Sequence, residues 1–456
     1  MNRITEQLCE YALTMRNESL SKEVVDHIKM HVLDYYAAGF SGYEINRDFN
    51  RINEEILFDT GGKAESTVLF SDIKLPSFHA AYMNALYAHG ADMDDGNSKA
   101  AGHISTHVIP AVLALAETVE CTWKDVFTAI NTGYDFFDIV AGIAQPSLYR
   151  KGFHSTGIAG GIACAAACAQ ILKLDKKQMY NAVSLAAVQS SGLIIIDESG
   201  QECKPVNPAN AARTGVLSAL MALKGVNAPE NPLESRKGWF NAFSDIKDLE
   251  EYELKKDTII DCYIKLYPTC RHTHSCIEAA EAIHERLKPE DKILRIDINI
   301  YENAIRSAGG IRNPGTPDEA KFSIAYATAI ALKNGTFTLQ DLRNIDHSDA
   351  ITDLEAKVNL IADADMIDPS GTQRGCRMTI MTVDGKEYSE TVPYPKGERD
   401  KKLTWDEFKE KYFRCAKDVV NKSEAEKILN MYMELQLRDS FRPINIYGEK
   451  QNEQYG

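Results

Sequence analysis

Apolar residues recur at helical spacing through the first 250 residues of the chain, and strand spacing begins only after about residue 257. SKEVVDHIKMHVLDYYAAGFSG opens on Ser21, keeps its apolar side chains three and four apart, and stops at Gly42, which together predict a helix. FHAAYMNALYAHGA, HVIPAVLALAETV, WKDVFTAINTGYDFFDIVAGIA and STGIAGGIACAAACAQILKL continue with the same period. PANAARTGVLSALMALKGVNAP adds another amphipathic helix that ends at Gly225. The Gly157 to Ala169 stretch is rich enough in Gly and Ala to predict a closely packed central helix. Its glycines do not match a dinucleotide fingerprint and no strand pattern precedes them, which dismisses a Rossmann reading.

After residue 257 the pattern changes. TIIDCYIKLYP alternates as a strand would, THSCIEAAEAIHERLK reads as a helix, and ILRIDINIYENA places Ile296, Ile298 and Ile300 on one face of a strand. DEAKFSIAYATAIALKNG returns to helix. EAKVNLIADADM and RMTIMTVDGKEYSETV supply three more strands, the last two joined by an Asp384-Gly385 turn. WDEFKEKYFRCAKDVV and SEAEKILNMYMELQL are helical again, and two helices are too few for a core of their own. The expected fold is mainly α: a large all-helical domain from residues 1–265 and 400–456, with a smaller α+β lid, 266–399, inserted between them. Hung on two crossings, such a lid can move.

Length and charge narrow the partners. A chain of 456 residues suggests two or three domains, and a net charge of −15 argues against nucleic acid or an anionic membrane as the main partner. No signal peptide pattern opens the chain and no apolar run reaches about 18 residues, so a cytoplasmic protein is expected. The ten cysteines form no CxxC pair, so neither a zinc ribbon nor an iron–sulfur cluster is written here. Cys164 and Cys168 read as small buried thiols.

The chemistry gathers between Asn84 and Glu117, where Asp92, Asp94, Asp95, His103 and His107 fall in a polar loop between two apolar helices. Such a junction carries charge into an apolar setting, where acid/base chemistry is found. Three further clusters accompany it: His154 at the start of the Gly/Ala helix, Lys204 before the next helix, and Lys265, Arg271, His272 and His274 in KLYPTCRHTH. Tyr326 lies within the lid helix. Taken singly, each also reads as a cap, a surface charge or a core residue. Their shared place at Gly- and Pro-marked junctions favours function.

The motifs AHGADMDDGN, GHISTHVIPAVLALAE, GFHSTGIAGG, KPVNPANAARTG, KLYPTCRHTHSCIEAA and EAKFSIAYA, in this order, resemble those of the MmgE/PrpD family over about residues 10 to 440. That family includes 2-methylcitrate dehydratase, cis-aconitate decarboxylase and iminodisuccinate epimerase. The resemblance implies a homodimer, no metal or organic cofactor, and an active site between the helical domain and the lid. In its decarboxylase branch the active-site residues match Asp92, His103, His154, Lys204, Lys265 and Tyr326. Two positions depart from the pattern: Gly96 or Asn97 stands where a threonine is expected, and Leu266 where a basic residue is.

Chemical roles follow from the residue types. Removing a proton next to a carboxylate builds negative charge on its oxygens, which Lys204, Lys265 and Arg271 are suited to hold. His103 is the natural proton carrier with Asp92 to orient it, and Tyr326 or His154 could serve the opposite face. The expected function is a cofactor-independent hydro-lyase of the 2-methylcitrate dehydratase kind, acting on a small di- or tricarboxylate. An iminodisuccinate-type epimerase, a cis-aconitate decarboxylase and a non-catalytic carboxylate-binding protein are the alternatives. Leu266, lacking a charge for a third carboxylate, predicts weak decarboxylation of cis-aconitate.

Overall fold

The computed structural model describes residues 3–198, 200–246, 249, 252, 254–368 and 373–446. Helix α1 (Lys22–Ile45) begins where Ser21 accepts a hydrogen bond from the Val24 amide. Helices α2 (Ser77–His89), α3 (Ser105–Ala116) and α4 (Trp123–Ala144) follow, and α4 opens on a reciprocal cap between Thr122 and Asp125. The Gly/Ala segment divides at Ala159 into a single turn, Ser155–Ile158, and helix α5 (Gly160–Ile171). Glycines on either side of the division weaken helical preference there.

Every residue of α5 is buried, packed among α3, α4, α6 (Lys176–Ala187) and α7 (Val206–Leu223). Small side chains make this possible. A Cβ on Gly215 of α7 would stand 2.1 Å from the Cβ of Cys164, so the two backbones touch at that point. Cys164 and Cys168 are buried free thiols.

A second apolar core forms from α8 (His274–His284), β1 (Ile293–Ile300), α9 (Ile324–Asn334), β2 (Val358–Ala362), β3 (Cys376–Thr382) and β4 (Glu387–Val392). The sheet order is β2-β1-β3-β4, with β1 and β2 parallel and the other neighbours antiparallel. Ile296, Ile298 and Ile300 all point into this core, and Gly385 closes the β3–β4 turn at φ +83°. Helices α10 (Trp405–Ala416) and α11 (Lys422–Glu434) then return to the first core. There Lys411 of α10, fully buried, pairs with Asp34 of α1 and donates to the Met93 carbonyl at 3.1 Å.

The fold is mainly α. One expected strand is absent: TIIDCYIKLYP forms a 3₁₀ turn, Thr258–Asp261, and then a lone bridge of Tyr263 to Gly96. Ile264 donates to Gly397 at 3.1 Å. Cys262 to Lys265 are buried in succession, against loops that offer single hydrogen bonds and no ladder. Among the described residues no helix is long and apolar enough to cross a membrane.

Candidate active site

The loop between α2 and α3 turns sharply at Asp92, whose φ is +51°, a left-handed conformation that an aspartate tolerates better than most residues. This turn drives the carboxylate inward, where it is 2% exposed. Its Oδ1 accepts from Lys204 Nζ at 2.9 Å and from Lys265 Nζ at 2.8 Å, and its carbonyl accepts from Lys265 at 2.7 Å. Burial alone would raise the Asp92 carboxyl, but the two ammonium groups outweigh it and hold the group well below the carboxylate range. One carboxylate cannot fully offset two cations. Lys265, wholly buried and facing Lys204, is pulled below the usual lysine value, whereas Lys204 is held above it because Asp92 outweighs its burial.

The carbonyl of Asp95 accepts a hydrogen bond from His103 Nδ1 at 2.8 Å, which fixes the neutral ring with its proton on Nδ1. Burial, reinforced by Lys265 and Lys204 and opposed by Asp94, keeps the ring neutral. Nε2 therefore carries a free lone pair, 3.6 Å from Asp92 Oδ1. His103 is set in place by its backbone too, since its amide donates to Thr156 Oγ1 at 3.0 Å.

The neighbouring acids divide the remaining work. Asp94 Oδ2 lies 2.7 Å from His89 Nδ1 and 3.5 Å from His103 Nδ1, and burial pushes its carboxyl up to about 6. Asp95 is structural: it accepts the Ile104 and Ser105 amides at the start of α3 and binds His31 and Tyr134 at 2.7 and 2.6 Å. His107 lies in the core with both ring nitrogens unpartnered, and burial lowers it to about 3.

Asp92, His103, Lys204, His154 and Arg271 line one cavity of about 630 Å³ between the two cores. His154 receives Asn207 Nδ2 at 3.0 Å on its Nδ1, and burial beside Lys204 lowers it well below the histidine range. Lys265 lies just behind the wall, reaching the site through Asp92. Arg271 faces the cavity with its charge already used: Nε and Nη2 donate to Glu398 at 3.1 and 3.0 Å. Tyr326 stands apart from the site. Its hydroxyl donates to the Asp341 carbonyl at 3.2 Å and accepts from the Asp346 amide at 3.0 Å, inside the second core. Leu266 also misses the cavity, since it packs between the two cores while Arg414 donates to its carbonyl at 3.0 Å. The expectation built on its missing charge is therefore withdrawn.

Other lining residues carried little or no signal in the sequence. Tyr301 ends a strand pattern and holds His272 Nδ1 at 2.5 Å, and Arg374 is a single arginine in GTQRGC. Lys321, in the EAKF segment, reaches across to the Gly90 carbonyl at 2.7 Å.

His89, Asp92, Asp94 and His103 also bring four donor atoms within 4.8 Å of one another, a spacing a metal ion could use. Asp92 would have to share such an ion with two ammonium groups that already supply positive charge there, and their repulsion opposes it.

The MmgE/PrpD N-terminal domain matches residues 6–252 and the MmgE/PrpD C-terminal domain matches residues 267–437. The chain belongs to the MmgE/PrpD family. Among its relatives, the cis-aconitate decarboxylase of Aspergillus terreus (strain NIH 2624 / FGSC A1156) is 24% identical over 469 residues, covering 97% of this chain and 95% of the relative. The cis-aconitate decarboxylase of Homo sapiens is 24% identical over 457 residues, covering 96% and 92%. The 2-methylcitrate dehydratase of Escherichia coli (strain K12) is 25% identical over 343 residues, covering 71% and 69%. At the C-terminal domain boundary of this MmgE/PrpD chain, the two cores meet around the cavity.

Proposed function

We propose that the protein is a cofactor-independent lyase that moves a proton at a carbon next to a carboxylate of a small di- or tricarboxylate. The observation that supports this most is the pairing of a neutral imidazole, free at His103 Nε2, with two ammonium groups on Asp92. His103 Nε2 takes the proton from carbon, and the charge left on the carboxylate oxygens is stabilised by Lys204. In a dehydration the C–O bond then breaks and Lys204 Nζ gives a proton to the departing hydroxide, so that water leaves. Base and charged acid stand side by side here, which favours a dehydration of the 2-methylcitrate type. A second reading, decarboxylation of cis-aconitate, draws on the near full-length match to decarboxylases. In this reading residues 266–399 are the lid, residues 1–265 with 400–456 the body, and the working unit is a cytoplasmic homodimer without metal.

The test is proton NMR in deuterated water on a panel of polycarboxylates that includes 2-methylcitrate and cis-aconitate. Water loss, CO₂ loss and plain deuterium exchange are distinct in one spectrum. Turnover should survive prolonged chelation. A protein that binds polycarboxylates but neither converts them nor exchanges the proton next to a carboxylate is a binding protein, and the lyase reading then falls.

A further inference from the structure

We infer that Arg374 binds the substrate carboxylate farthest from the reacting carbon, so that the distal carboxylate subsite is built by the second core. The inference rests on the reading of this cavity as a polycarboxylate lyase site.

Arg374 lines the same cavity as Asp92, His103 and Lys204, two residues before β3. Its guanidinium lies 6.0 Å from the centre of the Tyr263 ring, and Arg271 lies 4.6 Å from that same ring. The two arginines differ in what answers their charge. Arg271 is neutralised by Glu398, whereas among the described residues no carboxylate lies within ion-pairing distance of Arg374. Among the described residues its guanidinium makes one hydrogen bond, a long one of 3.5 Å to the Ser98 carbonyl. Arg374 is half-buried, without a paired carboxylate among the described residues, and its open side is the cavity, where an anion can reach it.

The surroundings suit a carboxylate. A guanidinium presents a flat fork that meets both oxygens of a carboxylate at once, and the face of the Tyr263 ring attracts its charge at the edge of cation–π range. His272 adds a polar ring on the same wall. His272 Nδ1 shares a 2.5 Å hydrogen bond with the Tyr301 hydroxyl, and burial beside Arg374 keeps that ring neutral, so one ring nitrogen carries a proton. The cavity is lined by cations from both parts of the fold, Lys204 from the first and Arg374 from the second, with the base His103 beside Lys204 on Asp92, and this asymmetry orients a substrate. The carboxylate beside the reacting carbon goes to Lys204, and the far one to Arg374.

The experiment is a calorimetric titration of the full chain with tricarballylate, which has three carboxylates and neither a hydroxyl nor a double bond to react. Arg374→Gln should weaken its binding by about 10- to 100-fold, the worth of a hydrogen-bonded charge pair. Arg306→Gln is the control, because Arg306 stands at the mouth and is paired with Glu302 at 3.3 Å; it should change binding by about 2-fold or less, as exposed pairs do. On the substrate found by NMR, Arg374→Gln should raise KM with kcat little changed. Arg374→Lys keeps the charge without the fork and should fall between wild type and Arg374→Gln, which covers the case of a Gln variant that does not fold. Unaltered tricarballylate affinity in a folded Arg374→Gln or Arg374→Lys protein, with wild-type turnover intact, overturns the inference alone. A wild type that neither binds tricarballylate nor converts any polycarboxylate overturns the functional reading, and this inference with it.

Discussion

The proton on His103 Nδ1 decides what the residue can do. Because the Asp95 carbonyl can only accept, the neutral ring must present Nε2 as a base. His103→Ala should therefore lower turnover by about 10²-fold or more, with the melting temperature kept, since general acid/base groups contribute that much. Near-normal turnover would remove His103 from the mechanism. Tyr326→Phe makes the opposite prediction: its hydroxyl is spent on the Asp341 and Asp346 backbone, so kcat should stay within about 2-fold, the scale of a change outside the reacting groups. A large loss of kcat in a stably folded Tyr326→Phe protein would return that tyrosine to the chemistry. The meeting of Asp92, His103, Lys204 and Lys265 was legible because acid, imidazole and lysine types cluster at marked junctions. A buried tyrosine in a lid helix gives the same signal whether it faces a core or a cavity. Arg374 gave none, because its unpaired state depends on what folds around it.

At the scale of elements, the core beneath the site carries a pH dependence. His107 on α3 is held neutral to about 3 by burial, whereas in the unfolded chain it takes a proton near 6.5. The unfolded state thus binds the extra proton first. Stability from this group is complete above pH about 6.5 and falls on acidification toward 3, with a slope of up to ~1.4 kcal/mol per pH unit. Asp94 works the other way, because a raised carboxyl favours the folded state at lower pH. The comparison that isolates His107 is urea unfolding of wild type and His107→Gln at pH 7 and pH 5. The variant should lose less stability between these values, and equal losses would show that His107 does not titrate on unfolding. The α3 period and the strands of the second core were legible from spacing alone. Residues 258–268 misled because their apolar and polar types alternate as in a strand, whereas the segment is buried on all sides among loops that offer no ladder, and sequence does not say which partner lies alongside.

At the scale of the whole molecule, the ties between the two cores are uneven. Near the crossings, buried Lys321 holds the Gly90 carbonyl at 2.7 Å and Arg414 holds the Leu266 carbonyl at 3.0 Å. Across the cavity, among the described residues, Tyr149 meets Ser307 through a hydroxyl pair at 2.8 Å. A body tied firmly on one side and lightly on the other tilts about the firm side, and a polyanion bridging Lys204 and Arg374 would draw the light side in. Segment 266–275 lies on the firm side yet lines the cavity through Cys270, Arg271 and His272. Its backbone already has partners, with the Cys270 amide donating to the Lys321 carbonyl at 2.9 Å and the Thr273 amide to the Cys270 carbonyl at 3.0 Å. Both bonds lie within residues 266–399, so exchange there proceeds by local opening of this segment, and a ligand seated against Cys270, Arg271 and His272 makes that opening rarer. Hydrogen exchange at 266–275 should slow on saturating tricarballylate, and the slowing should shrink in Arg374→Gln at matched occupancy. Equal exchange with and without ligand would mean that the cavity binds its substrate without seating it against this segment.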